Sequence, residues 1–362
     1  MNSVKIVFFH PLNDFSGSPN VLSSVIKGLA GKGFTIDLYT SSSDGGHLSD
    51  LSGINYHKIY YRFSQNKILT LIRFLFLQLR YFLISINYRN QHNIIFYLNT
   101  ILPFGAAMGA RFVKSKVIYH IHELPVRKNL IHKIALLVFK KFSDKAIFVS
   151  EYLFENYKIE PEKKILALNS LLPAFISVAR QHEPDFSEPH TILMVSSLKK
   201  YKGIDIFYNL AMRLNKFEFV LVLNSTDYEI MKYFTGRKIP KNLKLSSGTK
   251  NLHPFYQNAN LVVNLSISDL CIESFGLTIL EALTYGIPVI VPPYGGIAEL
   301  VEDGKNGYKA DSRDQTELIN KISAIFEDKE RYSHLSFNSR RIADRYSYNG
   351  MIEKIEEVIT HL

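Results

Sequence analysis

ESFGLTILEALTYGIPVIVPPYGGIAELVEDGKNGY, residues 273–308, is the stretch from which the rest of the chain can be read. Glu273 and Glu281 stand eight apart, and the spacing over Thr278–Leu283 predicts a helix that Gly286 ends. Phe275-Gly276-Leu277 would then sit just before a helix N-terminus, where free N–H groups and the dipole favour an anion such as phosphate. A carboxylate one turn into that helix can accept two hydrogen bonds from a vicinal diol such as a ribose. A carboxylate ahead of the helix can reach the far end of the same ligand. A helix cap with a surface glutamate would explain the two acids alone. It would leave unexplained the return of glycine after the next strand, as Gly295-Gly296 with Glu299, then Gly304 and Gly307.

Working outward, the second half alternates short apolar runs with helix-length segments: TILMVSS (191–197), FEFVLVL (217–223), LKLSS (243–247), LVVNLS (261–266) and PVIVP (288–292). The first half has the same rhythm in VKIVFFH (4–10), FTIDLYT (34–40), NIIFYL (93–98), KVIYHIH (116–122), KAIFVS (145–150) and KILALN (164–169). Runs this short and this rich in β-branched and aromatic residues read as strands. Strands alternating with helices imply parallel sheets with right-handed crossovers. The 362 residues suit two such α/β domains. Three prolines and scattered acids between 173 and 190 mark the join. The boundaries read as 1–175 for the first domain, 176–190 for a linker and 191–340 for the second domain. Residues 341–362 read as a C-terminal helix that can pack back on the first.

With 46% hydrophobic and 21% charged residues, disorder and fibrous repeats are excluded. The single cysteine, Cys271, excludes a disulfide framework and any thiolate metal site, and fits a reducing compartment. No signal-peptide pattern opens the sequence, and no uncharged apolar run reaches the roughly 18–20 residues of a membrane span. A cytoplasmic protein is expected. The charge is uneven: residues 1–180 hold 22 Lys+Arg against 10 Asp+Glu, a balance of +12, whereas residues 181–362 hold 21 against 23, a balance of −2. The first half is therefore expected to face an anionic partner. No basic-aromatic nucleic-acid motif accompanies the charge, so nucleic acid is not expected.

Glu-x7-Glu with Phe-Gly-Leu after the first Glu, Gly-x-Pro-Val, and Gly-Gly-x-x-Glu-Leu-Val-x-Asp-Gly together resemble glycosyltransferase family 4. The resemblance is dense over 253–308, including HPFYQNANLVVNLS (253–266), and looser elsewhere. It implies a retaining enzyme of the GT-B fold, two Rossmann-like doubly wound domains facing a central cleft, with the nucleotide on the second and the acceptor on the first. By that resemblance Glu281 holds the nucleotide ribose and Glu273 the donor sugar's hydroxyls. The backbone of Phe275, Gly276 and Leu277, with Thr278 beside it, approaches the sugar and diphosphate.

VSSLKKYKGIDIF (195–207) follows the first strand of the second domain, where the family shows Val-Gly-Arg-Leu, three residues, then Lys-Gly. Lys202-Gly203 matches, but the expected glycine and arginine are Ser196 and Ser197. A serine offers the leaving diphosphate only a neutral hydrogen bond, weaker than a charge-assisted one by roughly half. Lys199 or Lys200 could supply the missing charge.

In the first domain, YHIHEL (119–124) ends a strand with His120 and His122 on one face and Glu123 on the other. The resemblance makes His122 the active-site histidine; hydrogen-bonded core residues are the alternative. A zinc site lacks a third ligand. The loop PLNDFSGSPNVL (11–22), with Gly17 and Ser18 where the family has two glycines, either faces acceptor and phosphates or is an ordinary turn. Ser150 and Asn169 match family positions and read as caps.

In ILTLIRFLFLQLRYFLISI (68–86), Ile68, Ile72, Leu75, Leu79, Leu83 and Ile86 fall on one helical stripe, with Arg73, Gln78, Arg80 and Ser85 opposite. Arg62, Lys67 and Arg89 flank it. Such a helix either lies in an anionic membrane surface or packs in the core, and the +12 half favours the membrane.

The expectation is a metal- and cofactor-independent hexosyltransferase. It would carry sugar from a UDP- or GDP-linked donor to a glycan or lipid-linked acceptor on the inner face of the cytoplasmic membrane. Cell-surface polysaccharide assembly, such as lipopolysaccharide O-antigen, is the setting the resemblance implies. A sugar-nucleotide epimerase of the same fold, a basic binding module and a relative that has lost activity are the alternatives.

Overall fold

The structure is a computed structural model that describes residues 4–41, 45–62, 64, 66–125, 130–249 and 251–362. It divides into two compact units, residues 1–169 with 349–362, and residues 170–348.

The first unit is built on seven parallel strands: β1 (Lys5–Phe9), β2 (Thr35–Ser41), β3 (Asn55–Ile59), β4 (Ile94–Asn99), β5 (Lys116–Ile121), β6 (Lys145–Phe148) and β7 (Lys164–Leu166). Their order is β3-β2-β1-β4-β5-β6-β7. In the second unit β8 (Thr191–Ser197), β9 (Glu218–Asn224), β10 (Leu243–Ser247), β11 (Leu261–Val263), β12 (Val289–Val291) and β13 (Gly307–Lys309) form a parallel sheet ordered β10-β9-β8-β11-β12-β13. Both are doubly wound, with the direction of winding reversing between β1 and β4 and between β8 and β11. A crevice opens beyond the carboxyl ends of the strands at such a reversal. The central strands read as continuous apolar runs because helices cover both faces. Ile6–Phe9, for example, is wholly buried.

Both sheets carry one strand more than the sequence suggests. NYHKI (β3) is an edge strand with three of its five residues exposed, and β13 has only three residues. Neither buries enough apolar surface to leave a pattern.

The join between the units also differs from the expected one. The second unit starts at Ser170, and residues 176–190 belong to it rather than to a free linker. Helix Pro173–Arg180 opens on a proline at its first position, where a preset φ helps and the missing N–H costs nothing. It packs on helix Leu277–Tyr285, and Arg180 pairs with Asp344 at 2.5 Å. The prolines that mark the region as a linker in sequence therefore include a helix start. The C-terminal region is two helices, Lys329–Ala343 and Tyr348–Thr360, not one from 341. Residues 349–362 group with the first unit, where Ile352 sits against Gly28 and Lys32 pairs with Glu356 at 2.5 Å.

Helix Lys67–Ile86 reverses the polarity expected of a core helix. Phe74, Leu77, Gln78, Tyr81 and Ser85 are its buried residues, while Ile68, Ile72, Leu75, Leu79 and Leu83 are exposed. The cause is the neighbouring helix, Phe104–Phe112. The Gly105 N–H donates to Gln78 Oε1 at 2.9 Å, and a Cβ on Gly105 would lie 2.1 Å from the Gln78 carbonyl oxygen. Small residues and one side-chain amide bring the two backbones together, and the large aliphatic side chains are turned outward. By length and composition this helix could cross a membrane, although Lys67, Arg73 and Arg80 break its apolar run as the sequence expectation has it.

Gly105→Ala should therefore destabilise the protein although alanine is the better helix former. The helical gain is about 1 kcal/mol at most, and forcing a methyl into a close-packed contact costs roughly 1–3 kcal/mol. Urea unfolding showing a midpoint equal to or above wild type would remove this packing argument.

Candidate functional site

In the second unit the loops that leave β8 and β11 meet. After Ser197, whose carbonyl accepts the Lys199 N–H at 2.8 Å, the chain makes one tight turn, Lys200–Lys202. Gly203 follows at φ +80°, and a Cβ there would stand 2.2 Å from the Leu265 carbonyl oxygen. Only glycine allows both the left-handed backbone and the approach. The Ile267 N–H then reaches the Tyr201 carbonyl at 2.8 Å and locks the loops together.

This closure pairs Lys202 with Glu273. The Lys202 ammonium donates to Glu273 Oε1, which also accepts from Ser266 Oγ at 2.7 Å and Asn264 Nδ2 at 3.5 Å. Burial works against the charge on Glu273, but Lys202 and these hydrogen bonds outweigh it and hold the carboxyl below its ordinary value. On Lys202, burial is likewise the largest influence and is overcome chiefly by Glu273, so its pKa is raised. Both groups stay charged across the physiological range. Lys199 and Lys200 are exposed, so of the three lysines it is Lys202 that folds under.

Three residues beyond Glu273, Gly276 begins helix Leu277–Tyr285 at φ +104°, and a Cβ would lie 2.6 Å from the Ile297 side chain. The first-turn residues Gly276, Leu277 and Thr278 are partly exposed. Their end of the helix presents unpaired N–H groups beside the Lys202–Glu273 pair, a place for an anion. Phe275 contributes only backbone, since its ring is buried against Tyr346 at 5.6 Å.

Glu281 lies inside the same helix and is buried, accepting from Tyr256 Oη at 2.6 Å. Burial pushes its pKa up to about 7, against the opposing pull of the Tyr256 hydrogen bond. Tyr256 is the partner that residue-by-residue reading missed. Its signal was the HPFYQNAN segment, which places an aromatic on the short helix His253–Gln257 beneath this one.

In the first unit the corresponding strand ends bring together His10, Asn99 and His122. His122 Nε2 lies 2.8 Å from Asn99 Oδ1, an acceptor, which places the ring proton on Nε2. The Asn99 amide donates to the Ser18 carbonyl at 3.2 Å and approaches His10 Nδ1 at 3.1 Å. Burial, then the neighbouring His120 and His10, hold His122 well below its ordinary pKa, so the ring is neutral and Nδ1 is left as an acceptor. His120 is fully buried, bonded through Nδ1 to Tyr97 Oη at 2.9 Å, with its ring 4.4 Å from that of His122. The two histidines share a face as alternation requires, but one is core and the other is rim. Asn99 escaped the sequence reading; a polar residue ending the buried run NIIFYLN was its only mark.

Glu123 turns its carboxylate back to accept the N–H groups of Ile101 (2.8 Å) and His122 (3.2 Å), and burial raises its pKa to about 7. Gly17 and Ser18 open helix Gly17–Gly31, whose N-cap Ser16 makes no side-chain capping bond. Ser150 caps a helix by accepting the Leu153 N–H at 3.3 Å. Asn169 does not cap: the next helix starts at Pro173, after Leu172, and the Asn169 N–H bonds Val149 instead.

Residues 176–342 match the family model of group 1 glycosyl transferases. The chain is 27% identical over 235 residues to the poly(glycerol-phosphate) alpha-glucosyltransferase of Bacillus subtilis, an alignment covering 58% of this chain and 32% of that protein. It is 32% identical over 107 residues to the lipopolysaccharide 1,2-N-acetylglucosaminetransferase of Salmonella typhimurium, covering 29% of this chain and 27% of that protein. The chain thus spans less than a third of the length of either relative. Its structure superimposes on Anabaena Alr3699/HepE, solved in complex with UDP and glucose, with a TM-score of 0.79 over 99% of this chain and 100% of that one, at 19% identity. That likeness establishes the two-domain GT-B fold.

The raised pKa of Glu281 fixes a pH dependence. A carboxyl that is a weaker acid when folded contributes stability below its unfolded value of 4.5, and this is lost as the pH rises through about 7. Glu281→Gln should remove that decline, so the variant gains on wild type between these pH values. Parallel stability curves from pH 4.5 to 7 would show that the carboxyl is not perturbed.

Proposed function

We propose that the protein is a retaining hexosyltransferase. It would take a sugar from a nucleoside diphosphate donor, UDP- or GDP-linked, and pass it to a glycan or lipid-linked acceptor in cell-surface polysaccharide assembly. The observation that carries this reading is the Lys202–Glu273 pair beside the open first turn of helix Leu277–Tyr285, with Glu281 buried in that same helix. Cation, anion-binding amides and two acids lie within the span matched by the family model.

The roles follow from bonding capacity. An ammonium has three donors, and Glu273 takes one, so Lys202 keeps two for the diphosphate. Glu273 stays ionised and offers its remaining acceptor capacity to sugar hydroxyls. Glu281 accepts the ribose diol beside Tyr256. As the glycosidic bond breaks, negative charge grows on the leaving diphosphate, and Lys202 and the amides of Leu277 and Thr278 meet it without reorganising. Ser197 adds at most a neutral hydrogen bond. Attack by the acceptor on the face the diphosphate leaves gives retention without an enzyme nucleophile. In this reading no metal ion is needed. Within the first unit, neutral His122, fixed by Asn99, offers a hydrogen-bond acceptor at Nδ1 for a sugar hydroxyl, and Gly17 and Ser18 would line an acceptor. The basic charge of the first half supports a location at the inner face of the cytoplasmic membrane, where a lipid-linked acceptor would lie.

Thermal protection against a panel of nucleotide sugars tests the donor class, and no protection by any of them would overturn the reading. Lys202→Ala should then lower kcat far more than it raises KM, because the charge it meets is largest in the transition state. A raised KM with unchanged kcat would assign Lys202 to ground-state binding.

A further inference from the structure

Helices Lys67–Ile86, Phe104–Phe112 and Leu130–Phe142 are the successive connections from β3 to β4, β4 to β5 and β5 to β6. Right-handed crossovers running in one direction across a sheet place all three on the same face. The helices pack side by side, with Phe82 and Phe112 in ring contact at 6.2 Å. Their outer side is apolar: Ile68 is 69% exposed, Phe112 72% and Leu137 67%, and Ile72, Phe76 and Leu79 fill the space along the first helix. Large aliphatic and aromatic side chains gathered on one face mark an interaction site.

The charges on these helices say what covers it. Their sequences contain seven Lys and Arg and no Asp or Glu. Arg73 and Arg80 are partly covered on the first helix, and Lys133 lies on the third. The face therefore complements an anionic surface, whereas a second copy would bring two cationic faces together. It also differs from a membrane span. Gln78 and Ser85 on the inner side of the first helix are buried against Phe104–Phe112, and the strands before and after that helix lie in one sheet. The helix cannot leave the domain to cross a bilayer.

We propose that this three-helix face seats the first unit in the headgroup–acyl boundary of an anionic bilayer, with Ile72, Phe76, Leu79, Phe112 and Leu137 entering the acyl region. The proposal deepens the membrane part of the functional reading and rests on it for its purpose, but its test measures lipid contact and needs no turnover. Apolar burial of about 5–10 Å is the depth reached by helices lying in an interface. Cations steer the approach and salt screens them, while the inserted side chains hold the bound state and salt does not weaken them.

The chain contains no tryptophan, so one introduced indole reports alone. Phe112→Trp and, separately, Leu137→Trp in the full protein should shift to the blue with phosphatidylglycerol-containing vesicles. Brominated acyl chains should quench both, and Phe337→Trp, exposed on the second unit, should do neither. Leu79→Glu combined with Leu137→Glu should lower vesicle partitioning at least about tenfold while leaving nucleotide protection and circular dichroism unchanged. Bound protein should remain bound when salt is raised after mixing. Emission that ignores the vesicles would overturn the proposal. So would a blue shift that rises with protein concentration in the absence of lipid, which would give the face to a second copy. In the protein without the glutamate substitutions, absence of lipid contact with donor protection present would refute this seating alone; absence of donor protection with lipid contact present would refute the transferase reading alone.

Discussion

The ion pair between Lys202 and Glu273 is the interaction on which the second unit's site depends. It spans the point where the winding of the sheet reverses, one partner on the loop after β8 and the other on the loop after β11. Two largely buried charges of this kind are costly to bring out of water, and the pair is supported by Ser266 and Asn264, which donate to the same carboxylate oxygen, Glu273 Oε1. Removing either partner would strand the other. The pair ties together the loops that lead into the helix start, and the close approach of Gly203 to Leu265 brings its two partners within reach.

That arrangement places two acids with opposite tendencies a short way apart on one segment. Glu273 is held ionised by its cation, while Glu281, buried with a tyrosine as partner, is a weak acid. Divergent environments for like groups assign different tasks. A permanently charged acceptor suits hydroxyls near a cation, and a buried acceptor that can give up its proton suits a diol that must arrive from water. Under the proposed function position sorts the two acids, which flank the amides of Gly276–Thr278 at the start of the helix.

How much of this was legible in the sequence depends on burial. The central strands and the helix after Gly276 were legible because parallel strands covered on both faces and an apolar helix write their burial directly into composition. β3 and β13 were not, being edge strands with little to bury. Glu273, Glu281 and Lys202 were readable by type and spacing, but the resemblance that assigned Glu273 to the sugar did not show that Lys202 and Glu273 hold each other. Tyr256 and Asn99 matter through partners 25 and 23 residues away, Glu281 and His122. Pairings between separate elements leave no local period. Most of helix Pro173–Arg180 fell within the expected linker, 176–190, because proline breaks most patterns, though at a helix's first position it starts one.

Helix Lys67–Ile86 shows where periodicity misleads for a physical reason. Its apolar stripe has the spacing of a core helix, and the moment alone cannot say which side faces in. The neighbour decides. Gly105 and Gly109 leave no side chain to fill a groove, so the approaching backbone must supply small or hydrogen-bonding groups, and Gln78 and Ser85 do so. Once they are turned inward, the 3.6-residue repeat forces the isoleucines and leucines out. The same constraint that makes the helix interface tight creates the exposed apolar face. A mutation that loosened the glycine contact would cost stability and reorient that face together, so packing within the first unit and what its surface can bind are one property of the fold.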